Sequence, residues 1–354
     1  MSFSVEAMAG GSARVVVPVN RFEKVLRLKF DSFAGNGSLK TRISALFEAG
    51  RMPHALILEG PKGSGKGTLA RILAQAVVCR GEGEKPCGDC LPCRKVAGGY
   101  HPDVTVRTGG SAARSFHIDE VRTLRSDAYL RPNEAEKKVY ILENVQNMSD
   151  GAQNAILKIL EEPPSELFFI LTCESATALL PTILSRAPSF SMGAVGEEEA
   201  LPLLWERFPD RTDEALRQAA ALSDGNVGRM LDGLEGGVFA EAAALAREIA
   251  IAAAAKTELE LLALTAPLMG DKERMRAVLG MLILLFRDGC MCRDGHEDTL
   301  SGENPALDIL RSRLTQVQLL AMIEVVESAQ TALDRGANQT LLSVWFPARL
   351  KTAG

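Results

Sequence analysis

The sequence predicts an α/β protein in which a parallel β-sheet, covered by helices on both faces, is followed by a region built only of helices. Up to about residue 191, five short apolar segments alternate with segments of helical periodicity. One of them, residues 167–172, has no polar alternation, as expected of a parallel strand buried on both faces. From Gly196 onward only helical patterns recur.

The elements are predicted in a regular order. Strands are expected at residues 55–58, 103–106, 139–142, 167–172 and 188–191. Helices are expected near residues 39–47, 69–77, 117–130, 150–162, 197–208, 212–222, 228–234, 239–256, 271–287 and 314–334. Ser149 is the predicted N-cap of the fourth of these helices, which ends before Pro163 and Pro164.

Bulk composition limits the classes of function. With 354 residues, 46% of them hydrophobic and 24% charged, the chain should form two or three ordinary globular domains. The net charge of −5 is not that of a polyanion-binding protein, so contact with nucleic acid is expected to be local or through partners. No apolar run approaches the roughly 18 residues of a membrane span, and the N-terminus resembles no secretion signal. We therefore expect a cytoplasmic protein with reduced thiols and no membrane partner.

A glycine-rich segment at residues 60–68 lies between a predicted strand and a predicted helix. This context is the one that a phosphate-binding loop requires, because the backbone N–H groups of such a turn converge on an anion at a helix N-terminus. The residues expected to contact the phosphates of ATP or ADP are Gly60, Gly63, Gly65 and Lys66.

Two positions that serve hydrolysis in such folds are altered. Gly67 lacks the hydroxyl that normally holds Mg²⁺, and Thr68 stands in for it only partly, because one step along a helix rotates a side chain by about 100°. The strand predicted at 139–142 ends at Glu143 and Asn144, and an amide cannot act as the general base. We expect weak or vestigial binding of ATP or ADP and no hydrolysis.

Four cysteines follow the loop helix with the spacing C-x7-C-x2-C-x2-C, at Cys79, Cys87, Cys90 and Cys93. Four thiolates within 15 residues suit tetrahedral Zn²⁺, and such a site is structural because it leaves no open position for water. The alternative is four unrelated thiols. The three cysteines outside this set are expected, subject to their exposure, to be the only ones that react readily under native conditions: Cys173, Cys290 and Cys292.

Eight stretches, one of which is the cysteine cluster, resemble the clamp-loader ATPases of bacterial DNA polymerase III, of the AAA+ class, and among them the delta-prime subunits. The stretches are residues 54–61, 79–93, 101–103, 118–122, 138–143, 154–164, 182–186 and 225–229. The resemblance is good over about residues 40–235. It implies an AAA+ nucleotide-binding-like domain at 1–195 with the zinc module at 79–93, a helical lid at 196–235, and a helical collar at 236–354.

The resemblance also implies partners and two arginine roles. The partners are the gamma/tau and delta subunits in a pentameric assembly, and, through that assembly, a sliding clamp and primer-template DNA. Arg186 matches the arginine that enters a neighbouring subunit's ATP site as a finger, although Ala187 replaces the usual cysteine. The alternative is a surface arginine at a strand–loop junction. Arg229 matches the lid arginine that senses nucleotide, or else pairs with an acid.

The resulting prediction is a clamp-loader subunit that does not hydrolyse ATP alone and completes a neighbour's site. One alternative is an active motor subunit of the gamma/tau type, which Gly67 and Asn144 disfavour. A second is a DNA-binding zinc protein. Only Arg94 and Lys95 closely follow the cysteines, with no aromatic platform among them, so the sequence disfavours this class too.

Overall fold

The computed structural model describes residues 27–109, 118–255, 258–291 and 305–354. Three predicted features lie outside these ranges: the start of a helix at residue 117, the end of another at residue 256, and Cys292.

The centre of the first half is a five-stranded sheet in which every pair of neighbouring strands is parallel. Its strands are β1 Ala55–Glu59, β2 Val104–Thr108, β3 Lys138–Glu143, β4 Leu167–Cys173 and β5 Ser189–Ser191, in the spatial order β2-β3-β4-β1-β5. All five predicted strands and the α/β class are confirmed. The strand β4 is buried along its whole length, as its unbroken apolar run predicts.

Six helices accompany the sheet: α1 Gly37–Glu48, α2 Lys66–Val78, α3 Leu91–Ala97, α4 Ile118–Ala128, α5 Asp150–Glu161 and α6 Pro181–Leu184. One apolar core lies between one face of the sheet and helices α1 and α2, and includes Ile43, Leu69 and Leu73. A second core lies on the other face and includes Ile156 and Ile159 of α5. The Ser149 hydroxyl accepts a hydrogen bond from the N–H of Ala152, so the predicted N-cap is confirmed.

From residue 196 every regular element in the described ranges is a helix: α7 Glu197–Arg207, α8 Asp213–Leu222, α9 Val227–Glu235, α10 Val238–Ala255, α11 Glu258–Thr265, α12 Lys272–Met291, α13 Pro305–Arg313, α14 Gln316–Asp334 and α15 Gln339–Ala353. A small core joins α7, α8 and α9, and a larger one joins α10 to α15. Within the described ranges, no helix is both long enough and apolar enough to cross a bilayer.

Candidate functional site

The predicted phosphate loop connects the end of β1 to the start of α2, near the middle of the sheet. Gly63 and Gly65 have φ angles of 85° and 90°, in the left-handed region that favours glycine. Lys66 is the first residue of α2 and is buried. The side chain of Thr68, in the first turn of α2, is exposed.

Two polar side chains of this loop, Ser64 and Lys66, are buried. The Lys66 ammonium donates to the carbonyl oxygens of Gly60 at 2.7 Å and Pro61 at 2.8 Å. Burial lowers the pKa of Lys66, against the opposing effect of nearby acids. The Ser64 hydroxyl is buried with no hydrogen-bond partner among the described residues. Both groups are donors that suit an anion. The Ser64 hydroxyl has no partner among the described residues, and the Lys66 ammonium donates to carbonyl groups of its own loop.

The start of α9 lies directly against the loop. The N–H of Gly228 donates to the carbonyl of Gly63 at 2.8 Å, and the Asn226 amide donates to the carbonyl of Lys62 at 2.6 Å. A side chain on Gly228 would meet the Gly63 Cα at 2.6 Å, so the approach requires glycine. Arg229 follows, with its guanidinium 6.0 Å from the ring centroid of Phe239. The structure thus brings Arg229 to the element beside the loop, and no acid of the described residues pairs with it.

The region where Mg²⁺ would be held carries a guanidinium instead. Arg71 pairs with Glu143 at 3.4 Å, and the second carboxylate oxygen of Glu143 accepts from the Thr108 hydroxyl at 2.8 Å. The Asn144 amide donates to the carbonyl of Gly109 at 3.2 Å. Gly67 supplies no hydroxyl, and Glu143, the acid at the end of β3, is already paired with Arg71, so these two positions do not fit a Mg²⁺ site.

The four predicted zinc ligands come together. The Sγ atoms of Cys79, Cys87, Cys90 and Cys93 all lie within 4.8 Å of one another, and those of Cys79 and Cys90 are 3.9 Å apart. Ligands at about 2.3 Å from a tetrahedral zinc ion lie about 3.8 Å from each other. The donor set therefore fits Zn²⁺, which would hold the segment between α2 and α3 in place and supply no chemistry.

Local folding explains how the sulfurs converge. Cys79 follows the last residue of α2, Cys90 is the N-cap of α3, and Cys93 lies inside α3. A Cβ atom on Gly81 would lie 2.7 Å from the Cys87 sulfur, which is too close, so residue 81 can approach this sulfur only because it is a glycine.

Backbone N–H groups support thiolates in the cluster. The N–H groups of Gly81 and Cys87 each donate to the Cys79 sulfur at 3.4 Å. Burial raises the pKa of Cys79 and of Cys93. Burial also opposes ionisation of Cys90, but hydrogen bonds from the Cys93 and Arg80 N–H groups and from neighbouring thiols outweigh it and lower its pKa to about 6. A bound zinc ion would deprotonate all of its thiol ligands.

Two of the remaining cysteines do not meet the condition of exposure on which their expected reactivity depends. Cys173 lies in β4 and Cys290 in α12, and both are buried in apolar cores. Burial raises the pKa of Cys173 to about 11, which further lowers its reactivity.

Arg186 lies between α6 and β5, with its side chain about one-third exposed. Its guanidinium donates to the Thr182 carbonyl at 2.9 Å, to the Ser185 hydroxyl at 3.1 Å and to the Glu161 carboxylate at 2.8 Å. The contacts to Thr182 and Ser185 are those expected of an arginine at this junction. Three of its five N–H groups are therefore held by its own chain.

Arg186 and the phosphate loop lie at opposite ends of the parallel strands. Pro188 accepts a hydrogen bond from the N–H of Ile57, so the chain just after Arg186 lies beside the amino-terminal part of β1. The loop begins at Gly60, after the carboxyl end of β1. A five-residue strand is about 16 Å long, so the phosphate loop of the same chain is out of reach of Arg186.

Three residues at these sites were not predicted: Arg71, Glu161 and Asn226. Arg71 is four residues after Gly67, hence on the same helix face, and this spacing could have indicated it. Glu161 and Asn226 lie in stretches that carry the family resemblance, but their contacts depend on packing between separate elements.

One family model and several curated proteins are similar to this chain in sequence. The family model described as "DNA polymerase III, delta subunit" matches residues 35–195. The delta′ subunit of Haemophilus influenzae is 27% identical over 319 residues, which cover 88% of this chain and 94% of that protein. The delta′ subunit of Pseudomonas aeruginosa is 36% identical over 174 residues, covering 49% of this chain and 53% of that protein. The gamma subunit of Buchnera aphidicola is 31% identical over 211 residues and covers 58% of each.

The parallel sheet, phosphate loop and helical second half define a phosphate-loop α/β protein with an appended helical region. Over residues 35–195 the chain matches the DNA polymerase III delta family model, and it is similar to curated delta′ subunits, in agreement with the resemblance found in the sequence. Its similarity spans 58% and 53% of the Buchnera and Pseudomonas relatives, and nearly the whole of the Haemophilus relative.

Proposed function

We propose that this chain is a delta′-type subunit of a bacterial DNA polymerase III clamp loader that completes a neighbouring subunit's ATP site with Arg186 and does not hydrolyse ATP itself. The observation that carries the proposal is the position of Arg186 at the end of the sheet opposite to its own phosphate loop. An arginine in this place cannot act on a nucleotide in its own loop, but it can act on one bound by a neighbour.

The chemistry of phosphoryl transfer supports this role. Negative charge develops on the transferred phosphoryl group, and a cation placed beside it stabilises the transition state whichever subunit supplies it. Arg186 keeps two N–H groups beyond those that its own chain binds. Its planar guanidinium could therefore contact phosphate oxygens while it stays anchored.

Loss of hydrolysis in this chain rests on separate residues. Gly67 offers no metal ligand, Asn144 offers no base, and Glu143 is paired with Arg71. These changes lie at the two positions that a hydrolysing subunit needs most, and they leave Arg186 untouched.

The relatives suggest the partners. We infer an assembly with gamma/tau and delta subunits, acting in the cytoplasm, that places a sliding clamp on primer-template DNA. The separate cores support three units: an AAA+ domain at 1–195 with structural zinc, a lid at 196–235, and a collar at 236–354 that joins the subunits. Arg229 would then belong to the lid.

A motor subunit of the gamma/tau type is the second candidate, because a gamma subunit is among the relatives at 31% identity. The residues at the metal position favour the first. The two differ in one simple respect: a motor subunit hydrolyses ATP when primed DNA is added, and the proposed subunit does so only within an assembly.

Mass measurement of the chain mixed with gamma and delta subunits from the same organism tests the proposal. We expect one stable complex that contains one copy of this chain and hydrolyses ATP when clamp and primed DNA are added. The same mixture without this chain should lose most of that activity. A chain that stays monomeric in the mixture, or that the mixture does not need, contradicts the proposal.

A further inference from the structure

Arg71 lies beside the position at which phosphate loops of hydrolysing proteins hold their metal. A Cβ atom on Gly67 would stand 3.2 Å from an Nη atom of Arg71 and 3.1 Å from an Oε atom of Glu143. A serine or threonine at residue 67 would therefore require the ends of both side chains to shift by a few tenths of an ångström. Arg71 and Glu143 thus stand directly beside the position at which the metal-holding hydroxyl is absent.

The guanidinium of Arg71 is the positively charged group nearest to Glu143 in the described part of the loop region. It carries a positive charge and donates to Glu143, the acid at the end of β3. Mg²⁺ requires oxygen ligands at about 2.0–2.1 Å in near-octahedral geometry, and here one oxygen donor is missing and the other is bound to a cation. A divalent ion placed beside the guanidinium would also be repelled by it.

The rest of the loop still has the features of an anion site. Gly63 and Gly65 are in the left-handed conformation that turns successive N–H groups inward, at the N-terminus of a 13-residue helix. The Ser64 hydroxyl is only 5% exposed, has no partner among the described residues, and lies within 3.0 Å of where a Cβ of Gly60 would be. This buried hydroxyl therefore faces the interior of the loop, and Lys66 is buried next to it.

We propose that this loop binds the polyphosphate of a nucleotide without a divalent metal, with the Arg71 guanidinium in the place of Mg²⁺. The ligand class is a nucleoside diphosphate or triphosphate in its metal-free form. Binding of this kind leaves the nucleotide intact and would serve to hold the loop and the adjoining start of α9 in one arrangement.

Titration of the full chain with a fluorescent ADP analogue, once in buffer freed of divalent ions beforehand and once in Mg²⁺, tests this directly; no chelator is added, because it would remove the structural zinc. We expect dissociation constants that agree within about twofold, because no metal ligand is engaged. Arg71→Ala should weaken binding in the Mg²⁺-free buffer by about tenfold, since a charge-assisted contact to phosphate is lost. Arg51→Ala removes an exposed arginine elsewhere and should leave binding unchanged.

Three results overturn the inference: binding that Mg²⁺ strengthens tenfold or more, binding that Arg71→Ala leaves unchanged, and absence of binding in both buffers. Electron paramagnetic resonance with Mn²⁺ gives a second measurement, in which the chain with ADP should immobilise no more Mn²⁺ than ADP alone. None of these measurements uses Arg186 or a neighbouring subunit, so their failure leaves the proposed function standing, and the reverse is also true.

Discussion

Arg186 and Glu161 form an ion pair of 2.8 Å that joins the end of α5 to the segment after α6. Glu161 is the last residue of α5, and the pair adds a third contact to the two that Arg186 makes with Thr182 and Ser185. A guanidinium fixed by three acceptors needs little rearrangement when it meets a partner, because its orientation is already set.

Glu161→Gln should lower ATP hydrolysis by an assembled loader by about two- to fivefold, the range expected for loss of a partly exposed ion pair. The neighbouring Glu162→Gln is the matched control, because Glu162 is exposed and is the C-cap of the same helix. In an Arg186→Ala background Glu161→Gln should have no further effect, since Glu161 acts only through that arginine. Steady-state phosphate release is measured for loaders that contain Glu161→Gln, Glu162→Gln, Arg186→Ala or the double variant of residues 161 and 186.

Faster hydrolysis in Glu161→Gln would mean that the pair restrains Arg186 instead of orienting it. Equal effects of the two glutamine variants would mean that the pair has no part in the reaction.

The protein purified without added metal should contain about one zinc ion per chain, as four converging sulfurs require. Elemental analysis of Cys93→Ser should find much less, because three ligands hold the ion more weakly. Cys173→Ala serves as the control and should retain the full zinc content, since Cys173 lies in β4 away from the cluster. A folded, reduced and metal-free wild-type protein contradicts the zinc assignment.

Asp103 should make the stability of the α/β part depend on pH. Burial opposes its ionisation, but backbone N–H groups of Asn133, Glu134 and Ala135 outweigh this and hold its pKa below the usual range. A lowered pKa contributes stability that is present above the unfolded pKa of about 3.9 and is lost as pH falls through the folded value. Asp103→Asn should lower the free energy of unfolding at pH 7 by about 2 kcal/mol.

Urea unfolding at pH 7 and at pH 3 measures this difference. The gap between wild type and Asp103→Asn should narrow at the lower pH, while Asp210→Asn, at an exposed position, should change neither value. If the difference in unfolding free energy between wild type and Asp103→Asn were the same at both pH values, the charge of Asp103 would not be what stabilises its contacts with residues 133–135.

The isolated chain should release phosphate from ATP at the background rate, and Asn144→Asp should not restore turnover. An acid at residue 144 supplies a base, but the hydroxyl absent at Gly67 and the guanidinium of Arg71 still disfavour a metal. Turnover by the wild-type chain at the rate of a motor subunit would instead support the gamma/tau alternative.

The strands could be predicted because each is an apolar run bounded by turn residues. The phosphate loop and the cysteine cluster could be predicted because the residues that form each of them are close in the sequence. The strand order could not, since β1 pairs with β4 more than 100 residues later. The pair Arg71 and Glu143 is separated by 72 residues. No local pattern indicates which helix face meets the end of which strand.

The burial of two cysteines was also not predicted from the sequence. A cysteine at the end of a strand or inside a helix can be exposed or buried, and only packing against their cores shows that Cys173 and Cys290 are protected. The short helices α11 and α13, of eight and nine residues, were also missed because so few turns give little periodicity.

The most direct test of the central claim is ATP hydrolysis by a loader assembled with Arg186→Ala in place of the wild-type chain. The account predicts normal folding, zinc content and assembly, but DNA-stimulated turnover at the neighbouring site reduced on the order of 10³-fold. Arg186→Lys should restore little, because an ammonium lacks the planar fork of a guanidinium. A loader that contains Arg186→Ala, assembles normally and hydrolyses ATP at the wild-type rate would contradict the account.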